Sequence, residues 1–220
     1  MPLTTGIPRL LAAAALMLLA GMTQAAGSAV VPEACDGCHG FAGHSAGPTI
    51  PSLAGQVPEY FVLAMQRFRN GQRPATVMGP LAKGLSDADF RAMAAYYARQ
   101  KALPQTAPID PAQVAAGRKI YFAHCNTCHL DGRLWSSVHQ NRGYEKECSK
   151  RCHLDYGPEP GDETPLIGGQ WREYLAIELA AFKNGTRKMS PRKAKAFERL
   201  TPADLAAVAA FYASQKDLTR

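Results

Sequence analysis

The sequence predicts an all-α chain made of two tandem copies of one small unit. Three observations predict it. A Cys-x-x-Cys-His pentapeptide occurs twice, as Cys35-Asp36-Gly37-Cys38-His39 and as Cys125-Asn126-Thr127-Cys128-His129. The segments that follow the two copies repeat one another. Apolar residues recur at helical spacing between good caps, and strand signals are weak throughout.

The first 26 of the 220 residues read as a secretory signal. Arg9 is their single charge, residues 10–21 are apolar, and Thr23 to Ala26 offers small residues for cleavage near Ala25. An apolar run of twelve residues is too short to span a bilayer. Nothing later in the sequence resembles a membrane span. The expected mature protein is therefore exported, in a bacterium to the periplasm. The formal charge of +7 falls to +6 when Arg9 leaves with the signal. That balance suits docking to an acidic redox protein, because complementary charge speeds encounter. Nucleic acid is not an expected partner of an exported protein of this kind.

The pentapeptides carry the chemistry. Cys-x-x-Cys-His is the attachment pattern of c-type haem. The two thiols add to the haem vinyl groups, and the next His reaches the iron from the loop that the thioethers pin. The assigned residues are Cys35, Cys38 and His39 in the first copy, and Cys125, Cys128 and His129 in the second. A zinc ribbon has no need of a His directly after each second Cys. A thioredoxin-like pair needs a single motif in a βαβ context, and none is visible.

The repeat orders the rest of the chain. Gly55-Gln56 recurs as Gly169-Gln170, Tyr60 as Tyr174, Phe68 as Phe182, and Asn70-Gly71 as Asn184-Gly185. Residues 94–101 and 209–216 nearly coincide. Each half then reads as haem motif, loop, helix, loop, helix. The spacing of Tyr60, Leu63, Ala64 and Phe68 predicts a helix over 59–70 with those residues on its inner face. Ser86 caps the next helix, and Asp87 and Asp89 favour its first turn. Thr201 caps the last one, with Pro202 at its first position. Residues 111–124 form the helix that delivers the second motif; the first half has only a short segment before Cys35. Three prolines within residues 104–111 mark the linker. The expected organisation is signal 1–26, first domain 27–103, linker 104–111 and second domain 112–220.

A His-ligated haem keeps a sixth position. Met there raises the potential and suits electron transfer, whereas His lowers it. After the second motif the sequence holds one Met, Met189, and Met78 stands at the matching place in the first half. Met65 and Met93 align with Leu179 and Val208 and read as core. A carbonyl near Pro48 or Pro51, and near Pro165, is placed to accept from the proximal His Nδ1–H; an ordinary turn proline is the competing reading.

With these residues in view, the chain resembles the dihaem cytochromes c built of two class I domains. More narrowly, it is similar to the cytochrome subunit of flavocytochrome c sulfide dehydrogenase. Thr76-Val77-Met78-Gly79, Ala82-Lys83-Gly84-Leu85-Ser86-Asp87-Ala88-Asp89-Phe90 and Gly169-Gln170-Trp171 with Tyr174-Leu175 carry the resemblance. It implies two tandem cytochrome c-like domains, each wrapped around one covalent haem. It also implies a partner subunit containing FAD that oxidises sulfide, and a small soluble acceptor for the electrons. No substrate bond would be made or broken on this chain.

The sequence departs from that pattern in one place. His39 to Gly55 is 16 residues but His129 to Gly169 is 40, so the second domain carries an insert at about residues 131–163. Within it, Cys148 and Cys152 precede His153. Three readings stand open: a loop disulfide, which an oxidising compartment permits; a third haem; or another metal with His139.

Two further features have double readings. Lys183, Arg187, Lys188, Arg192, Lys193, Lys195 and Arg199 around Met189 form either a docking patch or a solvated helix face. Trp171 and Tyr174 pack either on the second haem or in the helix core. For function, an electron-accepting dehydrogenase subunit stands first and a free dihaem shuttle to a terminal oxidase second. Catalysis at a haem with an open sixth position would require Met78 or Met189 to be off the iron.

Overall fold

Local sequence rules place the helices before any packing is considered. The computed structural model describes residues 32–125, 165–216 and 218, and the regular elements among them are all helical. The expected signal over residues 1–26, Cys128, His129 and the insert with Cys148, Cys152, His153 and His139 lie outside the described residues. The first half runs from a 3₁₀ turn (Pro32–Cys35) into α1 (Asp36–His39), a second 3₁₀ turn (Phe41–Gly43), α2 (Pro58–Arg69), α3 (Met78–Lys83) and α4 (Asp87–Ala98). The second half has α5 (Pro111–His124), α6 (Arg172–Lys183), α7 (Pro191–Phe197) and α8 (Pro202–Ala213).

The caps are the same in both halves. Ser86 Oγ accepts from Asp89 N–H at 3.2 Å, and Asp89 Oδ2 accepts from Ser86 N–H at 2.8 Å. Thr201 and Asp204 repeat this capping box at 3.2 and 2.8 Å. Asp110 caps α5 through Ala112 N–H, and Pro111 takes its first position. The short helices α3 and α7 are additions to the sequence reading. Ser190 capping α7 ahead of Pro191 was the available signal, since it copies Thr201-Pro202.

In the first half α2 packs on α4 and α3. The inner face of α2 is Phe61, Ala64 and Met65; of the expected Tyr60, Leu63, Ala64 and Phe68, Ala64 alone is buried. Tyr60 and Phe68 are turned because arginines claim them: Arg73 lies over the Phe68 ring at 4.5 Å, and Tyr60 meets Arg73 and Arg187. Met65 and Met93 are buried, as their aliphatic counterparts require. In the second half α8 packs on α5 and α6. Gly117 permits the α5–α8 crossing, because a Cβ there would lie 1.9 Å from Ala207 O. Tyr121 fills the same seam, its ring 4.9 Å from Phe211 and edge-on to Tyr212 at 5.7 Å.

The halves join through repeat-related residues. Gly55 N–H donates to Tyr97 O and Gly169 N–H to Tyr212 O, both at 2.8 Å. The adjoining glutamines then cross over. Gln56 Nε2 donates to Leu166 O (3.1 Å), and its Oε1 accepts from Leu166 N–H (2.8 Å). Gln170 makes the mirror-image pair with Ser52 O and N–H, both at 2.9 Å. The linker is not a loose tether. Gln105 is buried, its N–H donates to Gly169 O at 2.7 Å, and Lys216 Nζ donates to its carbonyl at 3.0 Å.

Candidate functional site

The first pentapeptide spans a turn and one short helix. Cys35 ends the 3₁₀ turn and Cys38 sits in α1, so the three-residue spacing sets both thiols toward one side. His39 closes α1 and is 8% exposed. Gly40 then turns the chain with φ +78°, where a Cβ would strike His44 O at 1.9 Å. No other residue fits that turn.

The His39 imidazole is oriented by one bond. Its Nδ1–H donates to Pro51 O at 2.8 Å, so of the two candidate carbonyls the structure uses Pro51 rather than Pro48. A carbonyl can only accept, so the proton sits on Nδ1 and the Nε2 lone pair is left for a metal. Burial lowers the His39 pKa below its usual range, which keeps the ring neutral, the form a metal takes. Burial likewise pushes the Cys35 thiol up. Two thiols on one side of a turn, beside an imidazole with a fixed tautomer, fit covalent attachment and axial ligation of haem. Asp36 lies inside this loop. Its Oδ2 accepts from Ala42 N–H at 3.1 Å, while Oδ1 is buried without a hydrogen-bond partner.

Met78 is the first residue of α3, and Met189 precedes the cap of α7 by one residue. Both therefore stand at the entrance of the short helix in their half. Met189 packs on the cluster of Phe182, Phe197, Leu200 and Leu205. In the second pentapeptide Cys125 caps α5 and packs against the core around Tyr121.

The other candidates are redistributed. Trp171 reaches into the first half, where its Nε1–H donates to Ser45 O at 3.0 Å and its ring lies against Gly47. Tyr174 packs against the helix core around Tyr121, as one of its two readings has it, and its hydroxyl also faces across, accepting from Arg73 at 2.8 Å while its N–H donates to Pro48 O at 3.1 Å. The basic run divides. Lys183 donates to Phe197 O and Glu198 O, Lys193 sits 3.2 Å over the Phe182 ring, and Arg187 pairs with Glu178. Lys188, Lys195 and Arg199 remain exposed.

Sequence reasoning missed the interface cluster. Arg73 donates to Glu178 Oε1 (2.6 Å), Tyr174 (2.8 Å) and Tyr60 (3.4 Å), and Arg187 donates to the other Glu178 oxygen. The signal was present in Arg73 and Arg187, each three residues after the repeated Asn. Among the described residues no helix is long and apolar enough to cross a membrane.

Comparisons with known proteins follow the same lines. Residues 23–96 match the family described as cytochrome C oxidase, cbb3-type, subunit III. Cytochrome c4 of Pseudomonas aeruginosa is 34% identical over 176 residues, covering 77% of this chain and 78% of that protein. The thiosulfate dehydrogenase electron acceptor of Thiomonas intermedia is 31% identical over 217 residues, covering 94% and 91%. Among solved structures, cytochrome c4 of Acidithiobacillus ferrooxidans superposes with TM-score 0.58 at 27% identity, covering 82% of this chain and 98% of that one. Thiosulfate dehydrogenase from Marichromatium purpuratum gives TM-score 0.60 at 27% identity over 83% of this chain, but only 36% of its own.

Proposed function

Because this chain belongs to the cytochrome c4 family of dihaem electron-transfer proteins, we propose that it accepts electrons from a periplasmic dehydrogenase of reduced sulfur compounds. It passes them to a soluble acceptor protein. The two covalent c-type haems carry the redox change. Cys35, Cys38, Cys125 and Cys128 hold the haems; His39 and His129 bind the iron on one side, Met78 and Met189 on the other.

One observation carries the ligand assignment: buried His39 donates Nδ1–H to Pro51 O at 2.8 Å, so Nε2 is available to iron. Support for a sulfur-compound donor comes from the relatives named thiosulfate dehydrogenase electron acceptors, at 31 and 32% identity. The sequence resemblance to the cytochrome subunit of flavocytochrome c sulfide dehydrogenase supplies the competing partner, an FAD protein. A free shuttle to a terminal oxidase accommodates the same site.

The test is gentle purification from periplasm with a tag on this chain, followed by an absorption spectrum and reduction trials. A co-eluting dehydrogenase without flavin, with reduction by thiosulfate, supports the proposal. Flavin absorbance with reduction by sulfide favours the FAD partner. A lone haem chain that neither substrate reduces, even at low salt, leaves the shuttle.

A further inference from the structure

We propose that Gln170 and Gln56 are reciprocal positioning residues, each tuning across the interface the proximal histidine of the other half. The proposal rests on the assignment of His39 and His129 as iron ligands. It starts from a single peptide plane. The carbonyl that accepts His39 Nδ1–H is that of Pro51, and the N–H of the same peptide unit is that of Ser52. Ser52 N–H donates to Gln170 Oε1 at 2.9 Å, and Gln170 Nε2 returns to Ser52 O at 2.9 Å. A continuous relay therefore runs from the imidazole through one planar amide to a side chain in the other half.

Two consequences follow from elementary chemistry. The planar amide cannot turn its carbonyl without turning its N–H, so Gln170 fixes the direction of the acceptor that orients His39. Hydrogen bonds in a chain also polarise one another, so the bond at Ser52 strengthens the one at Pro51. Both ends are shielded from water, with His39 at 8% and Gln170 at 7% exposure. A stronger Nδ1–H bond makes a ligating imidazole more basic. That favours the ferric state.

In the second half the glutamine grip recurs on the peptide unit that follows Pro165, while His129 lies outside the described residues. Gln56 Oε1 accepts from Leu166 N–H at 2.8 Å, and that N–H shares its peptide unit with the carbonyl of Pro165. Pro165 precedes Gly169-Gln170 as Pro51 precedes Gly55-Gln56. Gln170 thus belongs by sequence to the second half and acts on the ligand of the first, and the repeat assigns Gln56 the reciprocal role toward His129. Domain docking becomes part of the tuning of both haems.

The experiment uses the full holoprotein and a redox titration, with paramagnetically shifted proton NMR of the oxidised form as a second readout. Gln170→Ala should raise the potential of the first haem, by up to roughly a tenfold change in its reduced-to-oxidised ratio, which is about 59 mV for a one-electron couple. Gln170→Glu keeps the acceptor for Ser52 N–H and should hold that potential at or below its wild-type value. Gln56→Ala should raise the other haem instead. A Cys35→Ala/Cys38→Ala variant, retaining the second haem alone, assigns the two waves. Should that variant fail to fold, the two alanine variants must still move different waves. Lower stability with both potentials and the NMR shifts unchanged would make the glutamines mere clamps and overturn the proposal. So would each glutamine moving the haem of its own domain, or both moving one wave. A wild-type chain with fewer than two haems overturns the ligand assignment itself, a different failure.

Discussion

Arg73 and Glu178 meet across the two halves at 2.6 Å, and Glu178 has no counterpart: the repeat places Ala64 at the equivalent point of α2. One carboxylate therefore serves two guanidiniums, since Arg187 takes its second oxygen. The side chains of Arg73, Arg187 and Glu178 are only 6, 11 and 20% exposed. Removing the shared partner strands two buried cations, a loss of about 3–5 kcal/mol. Glu178→Ala should lower the urea midpoint accordingly, while an exposed control such as Lys195→Ala should leave it unchanged.

The same cluster sets a pH dependence. Burial opposes ionisation of Glu178, but Arg73 and Arg187 outweigh it and hold its carboxyl below the usual range. A carboxyl depressed on folding contributes stability above its unfolded pKa of about 4.3 and loses it as pH falls through the lower folded value. Stability should therefore drop on acidification below about pH 4.3. Glu178→Gln should flatten that limb in unfolding curves taken from pH 6 to pH 3.

Asp36 distinguishes the two haem motifs, because Asn126 stands in its place in the second. Its Oδ1 is buried without a partner, and its charge favours the cationic form of His39. A negative charge near iron stabilises the ferric state. Asp36→Asn should raise the potential of the first haem by an amount on the order of tenfold in its redox equilibrium, about 59 mV. Redox titration checks this.

Met78→Ala and Met189→Ala should each remove about half of the weak sulfur-to-iron absorption of the oxidised protein. Met78→His should keep six-coordination and lower the first potential, because His lowers what Met raises.

At the α5–α8 crossing, Gly117→Ala drives a Cβ to 1.9 Å from Ala207 O, which is backbone and cannot swing away. The helices must part, at about 1–3 kcal/mol or more. Calorimetry of the holoprotein should show the lowered Tm.

Much of this architecture was legible because it is local. Ser86-x-x-Asp89 and Thr201-Pro202-x-Asp204 carry their helix starts in four residues, and Asn70-Gly71 marks the end of α2. Placing Met65 and Met93 in the core needed only alignment of the repeat. The orientation of α2 was not legible, because Tyr60 and Phe68 read as core until Arg73 and Arg187 arrive from elsewhere in the fold. The hydrogen bond of Trp171 was not legible for the same reason. Its acceptor, Ser45, lies 126 residues away across the interface. The relay through Ser52 exists only in the folded chain, since nothing in Gly-Gln says which peptide it will grip.

The most direct test of the central claim is the intact mass of the holoprotein under denaturing conditions, read as the number of haems covalently attached. Two haems on the wild type, one on Cys35→Ala/Cys38→Ala and one on Cys125→Ala/Cys128→Ala are the predicted results. One haem or none on the wild type, or a third that disappears with Cys148→Ala/Cys152→Ala, would contradict the account of the site.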